Sequence, residues 1–333
     1  MHTTDLRRIL AAAAAWLLLA QGAAAAELIP GGSAIGIEAQ TEGLLISDIA
    51  EIDTPEGKAS PAKDAGLRTG DMITGIDGKA VTNQTEFLDA LANSHGKISV
   101  TFLRGGGEKT CSVQPVEAED GTRQLGLWLR DGISGIGTVT FYDPASGIYG
   151  ALGHGVSDEH TGVLLPVTGG TIHAATVSGA TPGSDGEAGA LQGVFDVNAP
   201  VGDLAENSVF GVFGTCSEPP SGSAVETAAD DEVKTGPVTI RSTVSGREVK
   251  DYDAELKRVF SEDGCTRYLL QVTDPALLDA TGGIVQGMSG SPILQNGRLI
   301  GAVTHVLLDD PTMGYGVSID TMLDAASALE SAA

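Results

Sequence analysis

Basic residues are scarce in this chain: 19 Lys and Arg face 44 Asp and Glu, for a formal charge of −25, and the cations are scattered rather than clustered. A surface of that sign repels phosphate backbones and anionic headgroups, so nucleic acid is excluded as a partner. Cysteine is scarcer still. Cys111, Cys216 and Cys265 stand far apart without metal-ligand spacing, so at most one disulfide can form and a stapled scaffold is excluded. Aromatic residues make up only 4% of the chain while glycine reaches 46 of 333 residues, a balance that favours turns and short strands. Long apolar runs are missing beyond the first 26 residues, so no later segment can span a bilayer as a helix. Hydrophobic residues at 41% still suffice for a sizeable core, and the length suits two domains.

The N-terminus is the exception. Arg7 and Arg8 precede the apolar run Ile9 to Ala20 and the small residues Gly22 to Ala26, the order found in a secretory signal. Export is expected, either with cleavage after an alanine in Ala24 to Ala26 or with residues 1–26 kept as a membrane anchor.

A first domain is expected over residues 28–116. β-type runs at Leu44 to Ile49, Met72 to Ile76 and Ile98 to Leu103 alternate with two helical patches. Ser60-Pro61 opens the first patch and Gly66 closes it. Asn83 and Glu86 form a capping box for the second, and Asp77-Gly78 signals a tight turn. The text SPAKDAGLRTGDMITGIDGKAV, Ser60 to Val81, resembles the PDZ domains of exported bacterial proteases. That resemblance implies a glycine-rich loop whose N–H groups meet a peptide carboxylate, followed by a strand that pairs with the peptide. Gly31 to Ile37 is the nearest match to such a loop, so Ile35, Gly36 and Ile37 are the expected peptide-binding residues; the alternative is that these glycines only make a turn.

After the acidic linker Glu117 to Gly121, a second domain is expected over residues 122–331. Many short β-type runs with few helical stretches predict a sandwich or barrel, a surface loop over Ser217 to Asp231, and a closing helix over Asp320 to Leu329. Chemistry concentrates in two words, GHGVSD (Gly153 to Asp158) and GMSGSP (Gly287 to Pro292). A serine hydroxyl is a weak nucleophile unless a base takes its proton and N–H groups hold the oxyanion. Gly287 lets the chain bend so that its own N–H and that of Ser289 point into one hole, and Gly290 leaves the hydroxyl unobstructed. GMSGSP is similar to the GDSGGP-type word of trypsin-like serine proteases, which implies Ser289 as nucleophile rather than Ser291. Met288 replaces the Asp of that word, so activation by a freed N-terminus paired with that carboxylate does not carry over.

His154 is the base candidate among six histidines. His173 reads as structural, and for His305 a pocket-lining role competes with packing. Imidazole and carboxylate also suit zinc, so His154, Asp158 and His160 form a metal alternative, although their spacing matches no known metal word.

GIGTVTFYDP, YGALGHGVSD, TDPALL, TGGIVQGMSGSPILQNGRLIGAVTHV and GYGVSI occur in this order behind the PDZ-like text and the export signal. Together they resemble the stage IV sporulation protein B peptidase family over nearly the whole chain after the signal. The resemblance implies a mainly β protein, in which a PDZ domain (α+β) precedes a trypsin-like double β-barrel serine peptidase domain that works without metal or organic cofactor. It implies His154 as general base, Ser289 as nucleophile and Asp274, in TDP, as the acidic partner. Asp274 stands only 15 residues before Ser289, unusually close for such enzymes, so Asp158 remains the alternative acid. The resemblance further implies export across the forespore membrane into the space between forespore and mother-cell membranes. There the family cleaves a membrane-tethered regulatory complex, and itself, to trigger sigma factor precursor processing. A catalytically silent PDZ scaffold and a metal-dependent hydrolase stand as alternatives.

Overall fold

A computed structural model describes residues 25–158, 162–183, 186–217, 219 and 221–330 of the protein. The expected signal or anchor lies almost wholly outside the described residues, as does His160. Among the described residues no helix is long and apolar enough to cross a membrane.

Two strands of 16 residues, Ala34–Ile49 and Leu127–Tyr142, organise the molecule. They run antiparallel through two domains. At one end Leu127 to Arg130 pair with Ile49 to Leu45, and at the other Gly132 to Thr138 pair with Gln40 to Ala34. Between these ladders Thr41 to Leu44 stand opposite Asp131 alone, a wide bulge that bends the ribbon from one domain into the next.

On the PDZ side, Leu44 and Leu45 pair with Met72–Ile76, and strands Ile98–Arg104 and Gly107–Val113 complete the sheet. Helix Gln84–Ala92 buries Phe87 and Leu91 against it. The capping box is displaced by one residue: Asn83 accepts from the Glu86 N–H as expected, but the Glu86 carboxylate takes the N–H and hydroxyl of Thr82. At the first helix, Pro61–Asp64, Pro61 takes the first turn as expected while the Ser60 hydroxyl makes no cap.

The peptidase side consists of two barrels. Strands Ala34–Ile49, Leu127–Tyr142, Ile148–Ala151, Val167–Thr181, Ala190–Leu204 and Gly211–Thr215 build the first, around Ile37, Val139, Tyr149 and Ile172. A closed six-stranded barrel spanning Gly236–Ser242 to Asp310–Ser318 makes the second, around Ile240, Tyr268, Leu270 and Ile293. Helix Ile319–Glu330 closes the chain, with Met322 packed against Phe213 of one barrel and Leu299 of the other. Within the expected surface loop, Val225–Glu226 instead forms a short strand on Leu28 and Glu27.

The domain boundaries therefore differ from the expected 28–116 and 122–331. Ala34 to Thr41 belong to the first barrel, while Leu125, Leu127 and Leu129 pack into the PDZ core. Alternation marks these segments as strands but carries no information about which sheet receives them. The PDZ domain is thus an insertion in the first barrel, and a chain begun at Thr122 lacks a central barrel strand.

Candidate active site

The Gly287 to Gly290 turn is held one peptide unit at a time. Leu191 N–H donates to Gln286 O (2.8 Å), Thr138 Oγ1 to Gly287 O (2.7 Å), Ser291 N–H to Met288 O (2.9 Å) and Thr138 N–H to Ser289 O (3.0 Å). Met288 N–H is spent on Val285 O and Gly290 N–H on Val303 O. The N–H groups of Gly287 and Ser289 donate to no acceptor among the described residues. In a trans peptide the N–H points away from the C=O. The pins on Gln286 O and Met288 O therefore aim these two free donors, the ones expected for the oxyanion hole.

Gly287 and Gly290 both adopt φ +94°, which a side chain would strain. For Gly290 close approach matters more, since a Cβ there would lie 2.1 Å from Thr138 O and 2.4 Å from Leu152 N. The glycine admits the first barrel's backbone, a reason beyond freeing the hydroxyl. Met288 points the other way into the second barrel's core, fully buried. Ser291 is fully buried as well and donates to Ser242 Oγ. Only Ser289, half-buried, presents a hydroxyl. That hydroxyl donates to Thr304 O at 2.7 Å.

His154 follows Leu152 and Gly153, which adopt φ +69° and +67°. For a leucine this conformation costs about 1–2 kcal/mol. The strain turns the chain so that Leu152 N–H donates to Thr138 O while its side chain fills the space over Gly137. His154 Nδ1 lies 2.9 Å from Gly155 O. A carbonyl only accepts, so Nδ1 carries the proton and Nε2 is left with the lone pair. The ring also packs on His305, centroids 4.6 Å apart and planes at 33°. Thr304-His305 is thus a shared wall, taking the Ser289 hydroxyl at one residue and the His154 ring at the next.

Burial holds the His154 pKa below the usual 6.5, against the opposing pull of the Gly155 carbonyl. Burial, the neighbouring His154 and Arg267 push His305 down to about 4. Both rings are therefore neutral near pH 7. As pH falls through 6.5 a histidine of the unfolded chain takes up a proton more readily than folded His154, so this group's contribution to stability declines there. The midpoint in the pH profile of acylation by an aryl ester is expected to lie below 6.5, and a midpoint above 6.5 would contradict this placement.

Asp274 does not reach His154. It caps helix Pro275–Thr281, its Oδ1 accepting from Ala276 and Leu277 N–H and its Oδ2 from Asp253 N–H. The TDP word reads equally as Thr-Asp-Pro opening a helix, and the cap outcompetes the catalytic reading because two local N–H donors and the N–H of Asp253 satisfy the carboxylate. Asp274→Ala is expected to lower stability by about 1 kcal/mol while labelling by a serine-directed probe stays within twofold; thermal melting beside labelling rates checks both. Asp158 is buried, 4% exposed, and makes no hydrogen bond to His154. Among the described residues no cluster of three or more His, Cys, Asp and Glu side chains suits a metal.

Ile35, Gly36 and Ile37 are not an open edge. Gly135 to Gly137 pair with them on one side and Ile172 to Ala174 on the other, and both isoleucines are buried. Among the described residues Leu127 to Arg130 pair only with Ile49 to Leu45 and form one open edge of the PDZ sheet; Gly107–Val113, paired only with Ile98–Arg104, forms the other. Helix Gln84–Ala92 flanks the Leu127 to Arg130 edge, Gln84 Nε2 donating to Leu129 O, with Leu88 one turn on and 58% exposed. Gly126, at φ +73°, leads into that edge strand. The text Leu125-Gly126-Leu127 before an alternating run carried the signal, but its position after the acidic linker assigned it to the other domain.

A PDZ domain carried on a β-barrel peptidase fold is the class that this architecture defines. The chain belongs to the SpoIVB peptidase S55 family, which it matches over residues 121–323, and it matches the PDZ domain family over residues 52–104. It is similar to a Neisseria meningitidis (serogroup A, serotype 4A) protein named as a zinc metalloprotease, 36% identical over 83 residues. It is also similar to the serine protease HTRA1 of Xenopus tropicalis, 37% identical over 60 residues. These stretches cover 24% and 18% of this chain and span 19% and 13% of the length of the two relatives. Among solved structures, the active form of the Rv3671c protease from M. tuberculosis is 17% identical with a TM-score of 0.36, over 59% of this chain and 74% of that one. The PDZ domain of an SdrC-like protein from Listeria monocytogenes is 24% identical with a TM-score of 0.22, over 27% of this chain and 90% of that one.

Proposed function

We propose that the protein is a serine endopeptidase in which Ser289 attacks the peptide carbonyl, His154 Nε2 takes the hydroxyl proton, and the N–H groups of Gly287 and Ser289 hold the oxyanion. One observation carries this reading: the two unspent N–H groups of the pinned turn flank its one accessible hydroxyl, which rests on Thr304 O, while the His154 ring, its free lone pair on Nε2, packs on the next residue, His305. Attack requires the Ser289 hydroxyl to leave Thr304 O and turn to the imidazole. That exchange costs about 0.5–1.5 kcal/mol, small beside the roughly 3–4 kcal/mol that one oxyanion donor returns. The acyl-enzyme then forms as the leaving amine takes the proton from His154, and water reverses the sequence. The Gly155 carbonyl does what an acidic partner does elsewhere, orienting the ring through Nδ1–H, without the full charge that would stabilise the imidazolium.

Membership of the S55 family supports the narrower assignment. The peptidase acts in sporulation, outside the forespore membrane, on a membrane-tethered regulatory complex and on itself, with residues 1–26 directing export or anchoring it. The open edge Leu127 to Arg130 captures an extended segment of that partner by adding it as a strand. A fluorophosphonate probe tests the chemistry: stoichiometric labelling lost in Ser289→Ala is expected, and absence of labelling in the intact protein would favour a silent scaffold. In an endospore-forming host lacking the gene, the wild-type chain is expected to restore sigma precursor processing and Ser289→Ala is not.

A further inference from the structure

The nucleophile turn has a glycine in the left-handed region at each end, hence two soft joints. Its peptide units keep their orientation only through the hydrogen bonds that pin them. Most of those pins are main-chain groups that any residue supplies. The exceptions come from strand Leu127–Tyr142, where the hydroxyls of Thr138 and Thr140 donate to Gly287 O and Gly290 O. Thr138 is the more committed of the two. It is fully buried, its N–H donates to Ser289 O, its hydroxyl to Gly287 O, and its carbonyl accepts from Leu152 N–H, two residues before His154. All three of its polar groups are spent on the two segments that carry Ser289 and His154.

We propose that Thr138 is a positioning residue for the oxyanion hole: from the opposite barrel, its hydroxyl holds the peptide unit lying between the two donor N–H groups. The proposal rests on the assignment of Ser289 and of the donors at Gly287 and Ser289. Without the hydroxyl, this unit keeps only the Met288 N–H bond to Val285 O and has more freedom to rock between its two flexible joints. The two donors then meet the oxyanion out of alignment, which lowers the rate of acylation without changing how the ground-state substrate binds.

The test uses the full chain, an aryl ester and a fluorophosphonate. Thr138→Val keeps the shape and the N–H bond to Ser289 O but removes the hydroxyl. It is expected to lower kcat about 10- to 100-fold with KM within about twofold, and to slow phosphonylation in parallel. Thr138→Ser restores the donor and is expected to recover activity to within about threefold. Thr243→Val removes another fully buried hydroxyl, the one on Gly32 O, and controls for lost stability; at a similar melting temperature it is expected to retain kcat. Unchanged kcat in Thr138→Val, a loss matched by Thr243→Val, or no recovery with serine would overturn the role. If the valine variant does not fold, Thr138→Cys, of similar size and with a weaker donor, is expected to fall between wild type and that loss, and full activity there would also overturn it. Ser289→Ala in the same assays separates the two readings. Retained labelling would remove the nucleophile assignment, and Thr138's role with it; inert Ser289→Ala beside normal Thr138→Val removes only the latter.

Discussion

Ser289→Ala is expected to abolish aryl ester turnover and probe labelling, a fall of about 10⁴- to 10⁶-fold, with melting within about 1 °C of wild type. The side chain is half-buried and its one hydrogen bond, to Thr304 O, is made at the rim of the site, so little packing is lost. Ser291→Ala is the informative companion. That hydroxyl is fully buried, and its loss strands the partner Ser242, also fully buried, at a cost of about 1–3 kcal/mol. The two serines of one short word are thus expected to separate cleanly, one variant inactive and stable, the other active and less stable. Comparable catalytic loss in both would remove the nucleophile from Ser289.

His154→Ala is expected to have the second-largest effect, a loss of about 10⁴-fold or more in the same assays. Its neighbours determine what that result means. Asp274→Asn and Asp158→Asn are both expected to stay within about tenfold of wild type, because the ring's Nδ1–H is already given to Gly155 O and neither carboxylate bonds to it. An orienting carbonyl fixes the tautomer as well as a carboxylate does, but it carries only a dipole. The enzyme is accordingly expected to be slower than one with a full triad, with a base whose pKa burial keeps low. If Asp158→Asn instead loses several orders of magnitude, Asp158 is the acid and the Gly155 contact belongs to a resting arrangement.

Local signals were legible wherever a segment decides its own conformation. Asn83 capping its helix, Pro61 in a first helical turn, and Asp77-Gly78 at φ +50° and +75° between two strands all follow from chemistry within a few residues. The GMSGSP word belongs with them only in part: its glycines permit the φ of +94° at Gly287 and Gly290, while Leu191, Thr138 and Val303, far along the chain, hold the turn. Asp274 went the other way. Its TDP word supports both a helix cap and a catalytic acid, and distance alone distinguishes them.

Composition and motif, with the family resemblance the motifs carry, were enough to expect a mainly β chain with a PDZ-like segment, two words that carry the chemistry, and Ser289 rather than Ser291 as the candidate within the second. They were enough because each depends on residue type and short spacing. Tertiary structure decided what depends on partners far along the chain: that Ala34 to Thr41 enter the peptidase barrel, that Leu127 to Arg130 form an open edge of the PDZ sheet, and that Thr138 grips a turn about 150 residues downstream. A strand's side-chain alternation is the same in any sheet, and its free hydrogen bonds do not name their acceptors. Only closure of the fold selects among them, and that selection sets the site.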